Sequence, residues 1–461
     1  MKNKRICILF LTLTFLGATE LLHAQQWYKG ELHSHSIWSD GRALPETVVH
    51  AYKEAGYDFL CLTDHNVMQL PALRFSSWGY GASCPDEQAF AEENSYWKQV
   101  TDSSWSHLAP EFVALAEKTF GPNSVTKKVV KGQTWCRLKT FNELTEQFTE
   151  EGKFLLISGF EQTEMIASVG HVHLNFLNVP APLPPLPRET AIKTIEANYE
   201  EGVKAYGGEP GTSWFFFVNH PLWQYYNVTP ADLIALPQIR FVELLNNDAD
   251  WALCDQGWSP EKFWDVVNAF RCVQGTQLLL ANGSSDRHFY KPEDTQCDVH
   301  AWTWVYASEL TAESLFQAMT RGDCYISNGV KFKKIEFDKE TKTLSVAVDA
   351  EPNTNYRIDF IGTKKDFDPT VTQIVSPQGA AGGAPQRTID VYSDDIGIVL
   401  DSVTATEASY TMADDDLYVR ARVVTLDANG QAIKDSDPKK TSGSHRNIFP
   451  RPAAWTQPQR P

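Results

Sequence analysis

The chain has 461 residues, 21% of them charged, and carries a formal net charge of −17 at pH 7. Its length allows about two or three domains. Binding to duplex nucleic acid requires clustered Lys and Arg that neutralise phosphates, so the acidic balance argues against such a partner. A small phosphorylated substrate is not excluded, because bound metal ions can supply the local positive charge.

The first 24 residues have the pattern of a secretory signal peptide. Lys2, Lys4 and Arg5 precede an apolar run, Ile6–Leu16, that is too short to remain as a membrane anchor. No later segment approaches the roughly 20 apolar residues that a membrane helix needs. We therefore expect a secreted or periplasmic protein without a membrane anchor.

Seven cysteines remain once Cys7 is removed with the signal, and none of them forms a CxxC pair. Free thiols are about as compatible with this spacing as one or two disulfides formed in an oxidising compartment. Their scatter gives no reason to assign them to a metal.

Two predicted strands near the start of the chain each end at a histidine motif. Trp27–Leu32 precedes His33-Ser-His35, and Tyr57–Leu62 precedes Thr63-Asp64-His65. Between them Pro45–Glu54 is predicted to be a helix, with Pro in its first turn. Strands that alternate with helices indicate a parallel sheet or barrel, in which functional residues follow the C-terminal ends of strands.

Residues 67–152 interrupt this alternation and contain no clear strand pattern. Helices are predicted in this insertion over Glu87–Val100, Pro110–Thr119 and Phe141–Glu151. An insertion of this length after a site-bearing strand is typical of a lid or substrate-binding cap. A helical layer packed on the barrel is the alternative interpretation.

The alternation of strands and helices then resumes and continues to about residue 329. Four more predicted strands contain or precede a metal-binding type of residue: Phe154–Gly159 before Glu161, His171–Val179 with His171 and His173, Trp214–Val218 before His220, and Gln277–Ala281 before Asp286 and His288. A fifth strand, Ile239–Leu245, carries Glu243, which we expect to accept a hydrogen bond from a ligand.

The sequence changes character at residue 330. Short alternating segments separated by turn residues predict an antiparallel β-sandwich over residues 330–434. The tail, residues 435–461, is rich in Pro, Lys and Ser and is predicted to be irregular.

Nine imidazole and carboxylate side chains follow or lie on six of the predicted strands. They are His33, His35, Asp40, His65, Glu161, His173, His220, Asp286 and His288. Imidazole and carboxylate ligands together suit zinc, manganese or iron. Because a single zinc ion takes about four ligands, nine predict a site for two or three divalent ions.

The order of these motifs resembles the PHP (polymerase and histidinol phosphatase) family. The motifs that carry the resemblance are His33-Ser-His35, Ser39-Asp40-Gly41, Thr63-Asp64-His65, Glu161, the strand with His173, Asn219-His220-Pro221 and Ser285-Asp286-Arg287-His288. The resemblance covers about residues 27–329, apart from the insertion. It implies a distorted (β/α)7 barrel with a trinuclear metal site, in a family of which many members are phosphoesterases. The YISNGV sequence and the following sandwich are similar to secreted members with an added C-terminal domain.

The resemblance also implies how the ligands divide among three ions. The first ion would be held by His33, His35, Glu161 and Asp286. Glu161 would bridge to a second ion held by His220 and a histidine of the fourth strand, where His173 fits the family pattern better than His171. The third ion would be held by Asp40, His65 and His288.

The sequence thus predicts an exported phosphoesterase that hydrolyses a phosphate mono- or diester with a metal-activated water. Arg287 lies between two ligands and is the candidate to bind the substrate phosphate, although pairing with a carboxylate is equally compatible with its position. One alternative is an extracellular binding protein that keeps its metals and recognises a polymer through the Trp-rich insertion and the sandwich. A minor alternative is an amidohydrolase, a class that favours a carboxylated lysine where this chain has Glu161.

Overall fold

The structure is a computed structural model, and the residues it describes are 25–70, 96–102, 107–166, 168–223, 227–246, 259–289, 291–292, 301–375, 386–433 and 452–461. The predicted signal peptide, residues 1–24, lies outside this part of the chain. Among the described cysteines, Cys61, Cys136, Cys272 and Cys324 are free thiols. Within the same residues, none of the helices combines the length and the apolar character required to span a bilayer.

Helices and strands alternate through most of the chain before residue 330. In chain order the described elements are β1 (Gln26–Glu31), α1 (Pro45–Glu54), β2 (Phe59–Leu62), β3 (Trp97–Gln99), α2 (Pro110–Phe120), β4 (Lys127–Val130), β5 (Gln133–Arg137), α3 (Phe141–Phe148), β6 (Leu155–Ile166), β7 (Gly170–Leu177), α4 (Ala191–Tyr206), β8 (Phe215–Val218), α5 (Pro230–Ala235), β9 (Phe241–Leu245), α6 (Pro260–Gln274), β10 (Leu280–Gly283), β11 (Trp302–Ala307), α7 (Ala312–Arg321) and β12 (Cys324–Ser327). Helices α1, α2 and α6 begin with Pro, and α4 and α7 end at the left-handed glycines Gly207 and Gly322.

One continuous sheet has the strand order β10-β9-β8-β7-β6-β2-β1-β11-β12 and extends further into the C-terminal strands. Strands β1, β2 and β6 are parallel, and so are β8, β9 and β10. Strand β7 runs antiparallel to both of its neighbours, β6 and β8. The six parallel strands therefore bring their C-terminal ends to the same edge of the sheet.

The structure confirms a mixed α/β fold with a large sheet, but not the predicted closed barrel. Strand β10 ends the hydrogen-bonded order, and it meets β11 through a side chain: Gly283 N donates to Thr303 Oγ1 at 3.0 Å. A Cβ at Gly283 would lie 2.6 Å from Cγ2 of Ile326 on β12, so glycine is required for this close approach. The strands β10 and β11 touch here without forming a continuous ladder.

Apolar side chains fill both faces of the sheet. Strand β8 is buried throughout, as expected for a strand covered on both sides. Its alternate residues enter different cores: Phe216 packs with Trp264 of α6, whereas Phe215 and Phe217 pack with Phe316 of α7. The two cores hold the sheet rigid beneath the edge at which the candidate ligands lie.

The insertion contains a small sheet as well as helices. Strands β3, β5 and β4 form a three-stranded antiparallel sheet in that order. Helices α2 and α3 agree with the predicted helices at 110–119 and 141–151. The helix predicted over 87–100 is wrong in its described part, because residues 97–99 form β3. Trp97 packs on Trp135 of β5 there, and aromatic residues favour strands that pack in this way.

The strands after residue 330 are antiparallel. They are β13 (Phe332–Asp338), β14 (Thr343–Val348), β15 (Asn355–Lys364), β16 (Val371–Val375), β17 (Thr388–Tyr392), β18 (Ile398–Thr404), β19 (Glu407–Thr411), β20 (Asp416–Leu426) and β21 (Ala453–Thr456). Strands β21, β20, β15 and β18 extend the large sheet, and β13, β14 and β19 form a second one. Phe332, Leu344, Phe360 and Val423 belong to one buried cluster shared by the two sheets. The predicted antiparallel C-terminal region is therefore present.

The end of the chain is ordered, and the prediction of an irregular tail is wrong for residues 452–461. Strand β21 pairs with β12 on one side and with β20 on the other, and Trp455 is completely buried. The side chain of Gln457 donates to Ala281 O at 2.7 Å and accepts from Ala281 N at 2.9 Å. The short apolar run Ala453–Trp455 outweighs the polar composition of the segment before it.

A buried ion network joins α6 to β20. Arg420 Nη2 lies 2.6 Å from Asp265 Oδ2 and 2.9 Å from Glu261 Oε2, and Arg422 Nη1 lies 3.1 Å from Glu261 Oε1. Burial disfavours charge on Glu261, but Arg422 and Arg420 outweigh it and lower the pKa of Glu261 to about 2. The network fixes the C-terminal strands against the helical layer.

Candidate metal centre

His33 and His35 follow the C-terminal end of β1 and are fully buried. Because they are two residues apart on an extended segment, their side chains point to the same side, and their Nε2 atoms are 3.1 Å apart. His33 Nδ1 lies 3.0 Å from Glu243 Oε1 on β9, as expected from the sequence. Such a contact orients a ligand histidine and leaves Nε2 facing the centre.

Glu161 lies at the centre of the cluster, in the middle of β6 and not beyond its end. Its carboxylate contacts five imidazoles: Oε1 lies 3.3 Å from His33 Nε2, 3.0 Å from His173 Nδ1 and 3.4 Å from His220 Nε2, and Oε2 lies 3.4 Å from His35 Nε2 and 2.7 Å from His65 Nδ1. Burial disfavours charge on Glu161, but His65, His173 and His33 together hold its pKa well below the usual value. Glu161 is therefore an ionised carboxylate shared by most of the histidines.

Asp286 closes the cluster from the segment after β10. Its Oδ1 lies 3.2 Å from His33 Nε2 and 3.0 Å from His35 Nε2, and its Oδ2 accepts from Asn246 Nδ2 at 3.1 Å. The backbone of Asp286 has φ 49°, in the left-handed region that non-glycine residues rarely adopt. This local strain turns the carboxylate toward the two histidines.

A more open group lies beside this centre. Asp40 Oδ1 is 3.4 Å from His288 Nε2, and Asp40 Oδ2 is 3.5 Å from His65 Nε2. The Asp40 side chain is 27% exposed, whereas the histidines around it are at most 10% exposed. Asp40 therefore marks the side from which solvent reaches the cluster.

Among the residues that the structure describes, three sets of donor atoms are close enough for each to surround an ion, with all atoms of a set within 4.8 Å of one another. They are His35, Asp40, His65 and His288; His33, His35 and Glu161; and His65, Glu161 and His173. The sets share members, so His35 faces both Asp40 and Glu161. The structure brings all nine predicted ligands together, and their division among three ions remains a prediction.

The unsatisfied atoms of the cluster fit bound cations. Glu161 Oε2, Asp286 Oδ1 and His173 Nε2 are buried and have no aligned hydrogen-bond partner among the described residues. Buried polar atoms are costly without a partner, and imidazole nitrogens facing carboxylates within 4 Å form a donor set that divalent metals fill. The cluster is therefore suited to bind divalent metal.

Two buried carboxylates that the sequence did not single out hold the ligand segments. Asp64 accepts hydrogen bonds from the backbone and hydroxyls of Ser36 and Ser39 and from the side chain of Gln69, at 2.6–3.1 Å. Glu31 Oε1 accepts from the backbone of His33 and Ser285, each at 3.0 Å. Burial raises the pKa of Glu31 to about 8, and the backbone donors oppose this rise. The Thr63-Asp64-His65 motif could have identified Asp64 from the sequence, whereas no sequence motif marks Glu31.

Lys98 on β3 is a further residue that the sequence missed. Burial lowers the pKa of Lys98 to about 8, although Asp64 and Asp40 oppose this shift. Lys98 is 1% exposed, and no motif marked it because its segment was predicted to be helical. The insertion therefore adds a buried lysine that interacts electrostatically with Asp64 and Asp40.

The structure separates the two histidines of β7. Both rings lie beside Trp223, but only His173 contacts Glu161, at 3.0 Å, and His171 does not belong to any of the three sets of donor atoms. Strand β7 runs antiparallel to β6, so the N-terminal half of β7, which carries His173, lies at the edge with the other ligands. This differs from the expectation that every ligand follows the C-terminal end of a strand.

Arg287 is fixed through its backbone, since its carbonyl accepts from His35 N at 3.1 Å. Its guanidinium carbon lies 5.5 Å from the ring of Phe289. The guanidinium group is half-buried beside the ligand segment. Its role in substrate binding remains a prediction.

No protein-family model matches the chain, and no curated protein matches it either. The solved structures that match the chain include two crystal structures of bacterial proteins. A two-domain protein from Bacteroides vulgatus that contains a predicted PHP-like metal-dependent phosphoesterase is 16% identical, with a TM-score of 0.37, covering 85% of this chain and 96% of its own. A candidate metal-dependent phosphoesterase from Bifidobacterium adolescentis is 12% identical, with a TM-score of 0.29, covering 63% of this chain and 93% of its own. At these identities and TM-scores we draw no conclusion about function from either structure.

Proposed function

We propose that the protein is an exported, metal-dependent phosphoesterase of the PHP type that hydrolyses a phosphate mono- or diester. The proposal includes a distorted (β/α)7 barrel and two or three bound divalent ions, zinc, manganese or iron. The observation that carries it is the buried Glu161 carboxylate, which contacts five imidazoles at 2.7–3.4 Å. When bound, divalent ions would supply an activated water and offset the charge that develops on the phosphoryl group.

The protein's own residues hold this centre in place for the reaction. The contact of Glu243 with Nδ1 orients the His33 ring. Asp64 fixes the Ser36–Ser39 turn that leads to Asp40. Arg287 is proposed to bind a phosphoryl oxygen, where its charge would stabilise the transition state. The reaction needs no serine or cysteine nucleophile, because a water held at the centre serves that purpose.

The alternative of an extracellular binding protein that keeps its metals and recognises a polymer gains no support from the described surface. Trp38, Trp97 and Trp135, of the site loop and the insertion, are all buried. None of the tryptophans in the described ranges is exposed. Core packing accounts for these aromatic rings, so we favour catalysis.

The amidohydrolase alternative is also disfavoured. The position shared by the surrounding histidines is occupied by Glu161, and no lysine takes its place. A carboxylated lysine is the group that such an enzyme would need there. Both carboxylate oxygens of Glu161 face imidazole nitrogens, so this side chain would hold metal without a carboxylated lysine.

The test is a metal analysis of the purified protein together with phosphate release from model mono- and diesters, with Mn²⁺ or Zn²⁺ added. His33→Ala and Asp286→Ala should each lower activity by more than about 100-fold, because even residues that only support a metal ligand are worth about 10–100-fold. His50→Ala is the matched control, since His50 lies on α1 with its ring against Phe120, outside the cluster. It should retain wild-type activity.

Full activity in the His33 or Asp286 variant, with the protein folded, would remove the metal assignment. A wild-type protein that is folded, contains no metal and releases no phosphate would instead favour the binding protein. Circular dichroism of each variant shows that lost activity is not lost folding.

A further inference from the structure

Lys98 is the buried cation of the insertion. It is 1% exposed, whereas the other lysines on the described part of the insertion, Lys118, Lys127, Lys128, Lys131 and Lys139, are exposed or half-buried. Lysine is almost never fully buried unless its charge is compensated. We therefore expect a negatively charged group near Lys98 on β3.

The strand geometry directs Lys98 toward the metal centre. In a strand alternate residues share a face, so Lys98 lies on the face of Tyr96 and Val100. Both of these pack against the apolar cluster that contains Trp38, and the rings of Tyr96 and Trp38 are 4.4 Å apart. Trp38 is two residues before Asp40. The face of β3 that carries Lys98 therefore covers the loop that carries Asp40.

The insertion is fastened to that loop by hydrogen bonds. Trp38 Nε1 donates to Lys139 O at 3.1 Å, and Leu138 N donates to Tyr96 O at 2.8 Å. The residue after β3 is also paired with the small sheet, because Val100 N donates to Thr134 O at 2.8 Å. These bonds hold β3 and the segment with Lys139 against the loop that carries Trp38 and Asp40.

Lys98 interacts favourably with two carboxylates, those of Asp64 and Asp40. Asp64 is already satisfied by five hydrogen bonds from Ser36, Ser39 and Gln69. Asp40 belongs to the open group of donor atoms and would share its charge with a cation. Lys98 thus adds a buried positive charge beside Asp40, the most exposed carboxylate of the site.

We propose that Lys98 binds a phosphoryl oxygen of the substrate and makes the enzyme prefer monoesters over diesters. This inference rests on the proposed function and names its substrate class. A monoester phosphate carries about two negative charges near pH 7, whereas a diester carries one. An added fixed cation therefore stabilises the bound monoester more than the bound diester.

The experiment titrates inorganic phosphate into the metal-loaded full chain by calorimetry, with metal content measured in every sample. Lys98→Met should weaken phosphate binding by about 10- to 100-fold, the size of a lost charged hydrogen bond. Lys98→Arg should restore part of the affinity. Lys127→Met is the matched control, because Lys127 is exposed on the same small sheet and pairs with Glu117; it should bind phosphate like wild type.

Kinetics give a second measurement. For Lys98→Met, kcat/KM should fall more for a phosphomonoester than for a diester, so that the ratio of the two changes by about tenfold or more. Lys98→Gln repeats the loss of charge with a polar side chain, in case the Met variant does not fold.

Unchanged phosphate affinity in a folded, fully metal-loaded Lys98→Met or Lys98→Gln variant would overturn the inference. So would a variant that loses metal or thermal stability but binds phosphate normally once reloaded, since Lys98 would then only balance Asp64. If the wild type hydrolyses no ester but binds phosphate in a Lys98-dependent way, the proposed function fails and the binding role of Lys98 stands.

Discussion

Among single residues, Glu243 does the most to shape the centre without belonging to it. Its two oxygens accept from Ser284 Oγ at 2.7 Å, Asn246 Nδ2 at 2.8 Å and His220 N at 3.0 Å, and Oε1 lies 3.0 Å from His33 Nδ1. These partners come from segments that follow different strands. One buried carboxylate on β9 therefore sets the relative positions of several ligand segments.

Glu243→Gln should weaken metal binding by about 10–100-fold, as expected for a residue that orients a ligand histidine. The amide keeps the size of the side chain but replaces one acceptor by a donor, which opposes the donor groups around it. Competition with a metallochromic chelator measures the affinity. Glu164→Gln on the same strand as Glu161 is the control and should bind metal normally. Equal affinities in the two variants would show that Glu243 does not support the site.

The motif order was enough to find the nine residues that converge, because short spacings such as His33-x-His35 act through local geometry. It was not enough to find Glu31 or Lys98, whose importance depends on which distant segment lies opposite. Glu31 matters because Ser285, far along the chain, donates to it at 3.0 Å. Contacts of this kind have no signature in a single sequence.

Among the elements, hydrophobic periodicity and helix-capping residues predicted the positions of helices and strands well. They did not predict which strands lie side by side or in which direction each strand runs. Helix α1 occupies the predicted residues, and strand β2 lies within the predicted range Tyr57–Leu62. The position of strand β7 was predicted, but its antiparallel direction was not. The residue pattern of a strand is similar in parallel and antiparallel sheets. Strand β3 was predicted as helix since three residues carry too short a period to recognise.

The stability contributed by the contact between α6 and β20 should decrease at acidic pH. The pKa of Glu261, ordinarily 4.5, is lowered to about 2 in the folded protein. Its ion pairs therefore stabilise the fold fully above about pH 4.5, and this contribution is lost as the pH falls toward 2.

Glu261→Gln should lower the free energy of unfolding by about 3–5 kcal/mol at pH 7, because it leaves buried arginines with less compensation. The difference from wild type should shrink at pH 3. Urea unfolding at both pH values measures this. Glu336→Gln, which affects an exposed pair with Lys334, should change stability by less than about 1 kcal/mol and is the control. An equal loss for Glu261→Gln at pH 7 and pH 3 would contradict the role assigned to its charge.

In the whole molecule, the candidate metal centre connects segments that follow β1, β2, β8 and β10 with residues on β6 and β7. Bound ions would therefore stabilise the folded state, by about 2.7 kcal/mol for a ligand present at 100 times its Kd. Removing metal with a chelator should lower the Tm by roughly 3 °C, because an entropy of unfolding of about 2.1 cal/mol/K per residue gives about 1 °C per kcal/mol for a chain of 461 residues. Differential scanning fluorimetry tests this.

Adding Mn²⁺ or Zn²⁺ back to the chelated protein should restore the Tm, whereas Mg²⁺, which avoids imidazole-rich sites, should do so poorly. The His33→Ala variant is the control, because chelation should shift its Tm much less. A wild-type Tm that does not respond to chelator would show that the cluster is empty in the purified protein.

Strand β21 has a consequence for how the chain is made. It lies between β12 and β20 in the middle of the large sheet, although residues beyond 450 are synthesised after both of its neighbours. A nascent chain can build the N-terminal and the C-terminal strands separately, but it cannot make the sheet continuous between β12 and β20 until β21 has emerged. We therefore expect the two halves to dock late, and a ribosome-stalled chain that stops before residue 452 to leave the edges of β12 and β20 open to other strands.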